Sequence, residues 1–279
     1  MLAPQQPSPR VTPPRLMAFD LDGTLLDPTG SITPRTVTAL KSAHDCGIRI
    51  VLATGRPPFM MGNLIEAVGP AITHGVMANG AVVCTFPDGQ ALHTVMFGID
   101  RAVDTITRLR MVDHELGFAI ATDVGFAAEP GFAARMPIPS RVPTSPDVLG
   151  AIAGATVAAK LLVFHPHIGT HDLIDELAQH LGSDLHATHM GTEVVEIGPT
   201  GVDKASGLKW LCDHLEVDAV DVIAFGDNTN DNSMLVWAGR GVAMNNAPEL
   251  TRKLATDVTS TNGEDGVAAF IEKLLIDLR

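Results

Sequence analysis

A chain of 279 residues suits one large domain or two of ordinary size, and its 46% hydrophobic content supplies a core, which excludes a disordered protein. Lysine and arginine number 19 against 32 aspartates and glutamates, a balance of −13 that argues against a nucleic-acid or anionic-membrane surface. An anionic substrate must then be drawn in by local charge, by a metal and by a few basic side chains.

The first fifteen residues, Met1 to Arg15, carry five prolines in a polar setting without an apolar core, and read as a flexible tail. Leu16-Met17-Ala18-Phe19 is a short apolar run ending in Asp20-Leu21-Asp22-Gly23-Thr24-Leu25, the pattern of a buried strand followed by a turn. Side chains alternate along a strand, so Asp20 and Asp22 start on the same side, and Gly23 lets the chain turn sharply past them. Two carboxylates there repel unless they share a proton or a metal, and hard oxygen ligands suit Mg²⁺. An Asp-rich turn capping the next helix is the plainer alternative.

Thr33-Pro34 opens a helix, with Thr33 as N-cap and Pro34 first; it runs toward Cys46 and stops at Gly47. Ile48 to Ala53 is a second buried strand ending in Thr54-Gly55-Arg56-Pro57, which completes a βαβ unit. A hydroxyl and close backbone N–H groups at such a turn suit a phosphate oxygen; an ordinary helix-start turn fits equally. Ala71 to His74 is a third strand, and Asn79 to Cys84 with Ala91 to Val95 forms a hairpin around Asp88-Gly89. From about Gly98 the texture shifts. Ile99 to Leu116 reads as an amphipathic helix, Phe118 to Ala121 as a strand, and Gly125 to Pro146 resists assignment. Ala158 to Phe164 reads as a strand, Thr170 to Leu181 as a helix and His186 to Ile197 as strand material.

The first pattern then resumes. Gly198 to Lys204 is a turn entering the helix Ala205 to Leu215. Lys204 in that first turn opposes the helix dipole; a solvated surface lysine is the plain alternative. Val220 to Phe225 is another buried strand, ending in Gly226-Asp227-Asn228-Thr229-Asn230-Asp231, a second acidic cluster at a strand's end. A calcium loop would need a glycine that is missing here. Gly241 to Ala247 is a strand and turn, and Asn262 to Val267 a loop before the closing helix Ala268 to Leu278.

Cys46, Cys84 and Cys212 are far apart and contain no CxxC, so neither a disulfide framework nor a zinc site is expected, and a cytoplasmic protein is. Among the 11 histidines, the pairs His165/His167 and His186/His189 do not match HExxH spacing. No run reaches the ~18 apolar residues of a membrane span.

Phe19-Asp20-Leu21-Asp22-Gly23-Thr24-Leu25, Ala53-Thr54-Gly55-Arg56, Gly201-Val202-Asp203-Lys204 and Gly226-Asp227-x-x-Asn230-Asp231 resemble, in order, the four motifs of the haloacid dehalogenase-like (HAD) superfamily, over nearly the whole chain. The insertion point resembles that of the Cof-type branch with a class IIB cap. The resemblance implies a Rossmann-like, doubly wound parallel α/β sheet, residues 16–97 and 199–279, carrying an inserted α/β cap, residues 98–198. It implies a phosphatase with Asp20 as nucleophile and Asp22 as general acid/base. Mg²⁺ would be held by Asp20, the Asp22 carbonyl and Asp227. Thr54, Gly55, Leu21, Lys204 and Asn230 would hold the phosphoryl group, with Asp231 and Arg56 in support.

Substrate choice is expected from the cap, with Gly125–Pro139 as candidate specificity loop and Asp123, Glu129, Arg135 and Lys160 as candidate contacts. The expected partner is a small phosphorylated metabolite. The low aromatic content, 4% with no Tyr, leans toward sugars, since it offers no clear platform for a base. A hexose phosphomutase shares the same motifs, and a phosphometabolite sensor could share the fold. The sequence does not disclose the oligomeric state.

Overall fold

The structure, a computed structural model, describes residues 13–61, 68–134, 144–189 and 194–278; most of the proline-rich tail and Arg135 lie outside these. The run at Leu16 is β1 (Leu16–Phe19), buried along its whole length. β2 (Arg49–Ala53), β3 (Ile72–Met77), β4 (Val82–Thr85) and β5 (Ala91–Thr94) follow. A second sheet takes β6 (Phe97–Gly98), β7 (Gly117–Thr122), β8 (Gly125–Ala128), β9 (Val157–Phe164), β10 (Leu185–His189) and β11 (Val195–Pro199). The chain then returns to the first sheet with β12 (Val222–Gly226), β13 (Arg240–Met244) and β14 (Asp257–Thr259).

The first sheet runs β14-β13-β12-β1-β2-β3-β4-β5, parallel through β3 and antiparallel at β4 and β5. Alternation along β1 explains why both faces are covered. Met17 and Phe19 enter a cluster with Leu40 and Ala43 of helix Pro34–Asp45 and with Ala268 and Ile271 of helix Gly266–Asp277. Leu16 and Ala18 face Leu208 and Leu211 of helix Lys204–Leu215 and Met234 of helix Asn232–Trp237. A sheet buried on both faces is the doubly wound architecture, and its ligands bind beyond the carboxyl ends of the strands where the order reverses. Here that place lies beyond β1, between β2 and β12.

The second sheet is the cap, ordered β10-β11-β9-β7-β8 with β6 beside β9, and antiparallel throughout. One face packs Phe118, Ile120, Leu161 and Val163 against Ile106 and Leu109 of helix Ile99–Val112 and Leu173 and Leu177 of helix Thr170–Ala178. The other packs Ala119, Ala121, Leu162 and Phe164 with Ala78 and Ala81 of the first unit. The cap therefore lays one side of its sheet over the turn that follows β3.

Several elements differ from the sequence reading. Gly125–Ala128, expected within a loop, is β8, paired with β7; its small side chains hide the alternation that marks a strand. The remainder of that segment from 135 to 143 lies outside the described residues. The strand material of His186 to Ile197 resolves into parts of two antiparallel strands, β10 and β11. Asn79 is not in a strand: Ala78 and Asn79 adopt left-handed conformations, φ 50° and 53°, in a tight turn. The Ile99 helix ends at Val112, and the short helices Asn232–Trp237 and Glu249–Leu254 were not foreseen.

Candidate active site

Asp20 follows β1 directly, its N–H donating to Phe225 O of β12 at 3.0 Å, and it is 6% exposed. Lys204 is the first residue of its helix. Asp203 caps that helix in a reciprocal box with Ser206, which fixes where Lys204 points. Lys204 is fully buried; its Nζ donates to Asp20 Oδ1 at 2.5 Å and to Asp231 Oδ1 at 2.6 Å. The solvated-lysine alternative is thereby overturned. The other Asp231 oxygen accepts from the N–H groups of Asp227 and Asn228, both at 2.9 Å. Asp231 is thus consumed in shaping the loop and holding the lysine.

Asp227 completes the cluster. Thr24 Oγ1 donates to its Oδ1 at 2.8 Å. Gly23, at φ +85°, allows this approach, since a Cβ there would fall 2.3 Å from Asp227 Oδ2. Carboxylate oxygens of Asp20, Asp227 and Asp231 all lie within 4.8 Å of one another.

The electrostatics follow from this crowding. Burial raises Asp20 well above the usual carboxylate range; Lys204 opposes the rise, while Asp231 and Asp227 add to it. Burial, then Asp231, pushes Asp227 up to about 6. Burial disfavours the Lys204 charge, yet Asp20 and Asp231 outweigh it and raise its pKa. The site holds more negative charge than one lysine neutralises. Burial and mutual repulsion of these carboxylates both favour neutralisation of Asp20 and Asp227, by a proton or by a cation. Hard carboxylate oxygens around such a place fit a divalent metal.

The other expected residues fall around this centre. Asp22 is not in the carboxylate cluster: its side chain is 57% exposed and bound by Arg56, Nε at 2.8 Å and Nη2 at 2.5 Å. The chain leaves the strand at Asp20, so the alternation expected to align the two aspartates no longer applies. Leu21 is buried, and its carbonyl accepts from Thr24 and Leu26. Thr54, 1% exposed, follows β2 directly; its Oγ1 accepts from the Arg56 N–H at 3.1 Å. Asn230 donates to Asn79 Oδ1 at 3.2 Å.

The cap candidates divide. Asp123 accepts from Thr156 Oγ1 at 2.6 Å and from the Thr156 N–H, a bond that ties the β7–β8 turn to the start of β9. Glu129 accepts from the N–H groups of Phe118 at 3.0 Å and Val148 at 3.3 Å and pairs with Arg110, inside the cap. Both carboxylates accept from N–H groups of the cap's own backbone, which would otherwise lack acceptors. Arg135 lies outside the described residues. Lys160 does reach the core, donating to Gly55 O at 2.7 Å and pairing with Glu196.

Sequence reasoning missed Thr24, Asn79 and Glu196 as site-building residues. Glu196 had a signal: an acid alone between Val195 and Ile197 in an apolar strand needs a buried partner, as Lys160 does beside Leu161. Asp113, Glu115 and His165 also gather on the cap. His165 Nδ1 accepts from the N–H groups of His167 and Ile168 at 3.0 and 2.9 Å, which puts its ring proton on Nε2, 2.9 Å from Asp113. That nitrogen is a donor and no metal ligand.

A buried lysine between two aspartates, beyond the strands of a doubly wound sheet and beneath an inserted cap, defines a phosphoryl-transfer hydrolase of the HAD type. The chain belongs to that family: the model of the haloacid dehalogenase-like hydrolases matches residues 17–271. It is 30% identical to an HMP-PP phosphatase of Enterobacter sp. (strain 638), over 86% of this chain and 88% of that protein. It is also 30% identical to the pyridoxal phosphate phosphatase YbhA of Escherichia coli, over 94% and 99%. A solved HAD phosphatase from Bacteroides thetaiotaomicron superposes with TM-score 0.82 at 26% identity, covering 98% of this chain and all of that one. The protein is an HAD-type phosphatase, and such enzymes need a divalent metal. Among the described residues no helix is long and apolar enough to cross a membrane.

Proposed function

We propose that the enzyme hydrolyses small, hydrophilic phosphate monoesters through an aspartyl phosphate on Asp20, with Mg²⁺ as its metal, in the cytoplasm. We take residues 16–97 and 199–279 as the catalytic unit and 98–198 as its cap. The observation that carries this reading is the Lys204 ammonium held between Asp20 and Asp231, with Asp227 alongside.

Asp20, the Asp22 carbonyl and Asp227 would hold the metal. Mg²⁺ supplies charge cancellation, which lets an anionic carboxylate meet an anionic phosphoryl group. Lys204 neutralises further charge on the phosphoryl oxygens and holds the Asp20 carboxylate in place for its attack on phosphorus. Thr54, the N–H groups of Leu21 and Gly55, and Asn230 hold the phosphoryl oxygens in line. Arg56 holds Asp22 at the rim; a phosphate that draws Arg56 to itself frees the Asp22 carboxylate to take up a proton from solvent and pass it to the leaving alkoxide. Asp22 then takes a proton from the water that cleaves the aspartyl phosphate.

Asp20→Asn tests the reading. Phosphate release from a panel of sugar phosphates and pyridoxal phosphate is expected to fall by about 10⁴-fold or more. Wild-type turnover in this variant would remove the nucleophile from Asp20.

A further inference from the structure

The cap reaches the catalytic unit through a buried ion pair. Lys160 on β9 and Glu196 on β11 have side chains only 5% and 4% exposed and bond to each other. Glu196 Oε2 accepts from Asn79 Nδ2 at 2.5 Å, and Asn79 Oδ1 accepts from Asn230. Lys160 sends its second bond to the carbonyl of Gly55, at 2.7 Å.

That carbonyl belongs to the Gly55–Arg56 peptide, whose N–H donates to Thr54 Oγ1 at 3.1 Å. A peptide is planar, so holding its oxygen also aims its N–H. A cation on the oxygen polarises the amide and strengthens that N–H as a donor. The Thr54 hydroxyl uses a lone pair on the backbone N–H, which leaves its own proton available to donate. From the opposite side the left-handed turn at Ala78 and Asn79 braces the same three residues: the Asn79 N–H donates to Thr54 O and the Ala78 N–H to Arg56 O, both at 3.0 Å.

We propose that Lys160 is a positioning residue for phosphoryl transfer, which links the cap to Thr54 through the Gly55–Arg56 peptide. Glu196 carries the parallel link, through Asn79, to Asn230. Lys160 acts from within the cap–core contact, at 4% exposure, and needs no contact with the substrate's leaving group. The inference rests on the assignment of Thr54 to the phosphoryl group.

The test is a double-mutant cycle on p-nitrophenyl phosphate at saturating Mg²⁺, a substrate whose leaving group carries no hydroxyl for the cap to recognise. Lys160→Met is expected to lower kcat by about 10- to 100-fold with KM moved less than about threefold. Thr54→Val is expected to lower kcat by about 100-fold. The double variant should be no worse than Thr54→Val within about threefold, because Lys160 acts through that hydroxyl. Losses that multiply, or a Lys160→Met kcat at wild-type level, overturn the relay. A Thr54→Val enzyme at full activity would instead remove the phosphate role of Thr54, and the relay with it. Should Lys160→Met lose its cooperative melt, Lys160→Gln, which keeps a donor of shorter reach, takes its place in the cycle with the same non-additivity expected.

Discussion

Lys204 Nζ lies 2.5 Å from Asp20 Oδ1 across 184 positions of sequence, with the lysine fully buried and the aspartate nearly so. Removing one partner from such a pair leaves a buried charge uncompensated, which costs about 3–5 kcal/mol. Lys204→Met is therefore expected to lower the unfolding free energy by that amount in urea titrations without metal, and to abolish turnover. A variant as stable as the wild type would mean that Asp20 and Asp231 do not depend on this lysine.

With Asp20 and Asp227 as the proposed metal ligands, metal and proton would compete for the same oxygens. Asp227 has its folded pKa raised from 3.8 to about 6 by burial and by Asp231, so the folded state holds a proton more tightly than the unfolded chain. That stabilisation is full below the unfolded value and is lost as pH rises through the folded one. A bound cation replaces the proton. The rise in Tm produced by Mg²⁺ should therefore grow between about pH 5 and about pH 7, followed by scanning fluorimetry with and without the ion. An increment that shrinks over that interval would contradict the shared site.

Gly23 has φ +85°, and a Cβ there would meet the Asp227 carboxylate at 2.3 Å. Gly23→Ala should push Asp227 out of line. We expect the Mg²⁺ concentration for half-maximal activity to rise about tenfold or more. An unchanged metal requirement would place Asp227 outside the metal site.

Glu129 accepts from two backbone N–H groups and pairs with Arg110 inside the cap. Glu129→Gln should cost about 1–3 kcal/mol of stability while leaving the order of preferred substrates intact. A reordered substrate profile would return Glu129 to substrate recognition.

Much was legible in the linear chain. The buried strands at Leu16, Ile48 and Val222, each with a polar carboxyl end, follow from apolar runs closed by turn residues, because those patterns are local. Asp20, Lys204, Asp227 and Asp231 stand out through the resemblance of their segments to the HAD motifs, since charge at a strand end or helix start alone leaves a capping turn or a solvated side chain open. β8 was not legible, since alternation among alanines and glycines is silent until a neighbouring strand pairs with it.

The sequence alone determined the buried strands and the charged residues that follow them, because side-chain period and turn chemistry act over a few residues; the doubly wound sheet was what the motif resemblance implied. Tertiary structure decided their partners. It turned Asp22 to Arg56, spent Asp123 and Glu129 on the cap's own backbone, and set Lys160 on the Gly55 carbonyl. A hydrogen bond is chosen by what lies within 3 Å or so, and which distant strand arrives there is a property of packing, not of spacing along the chain.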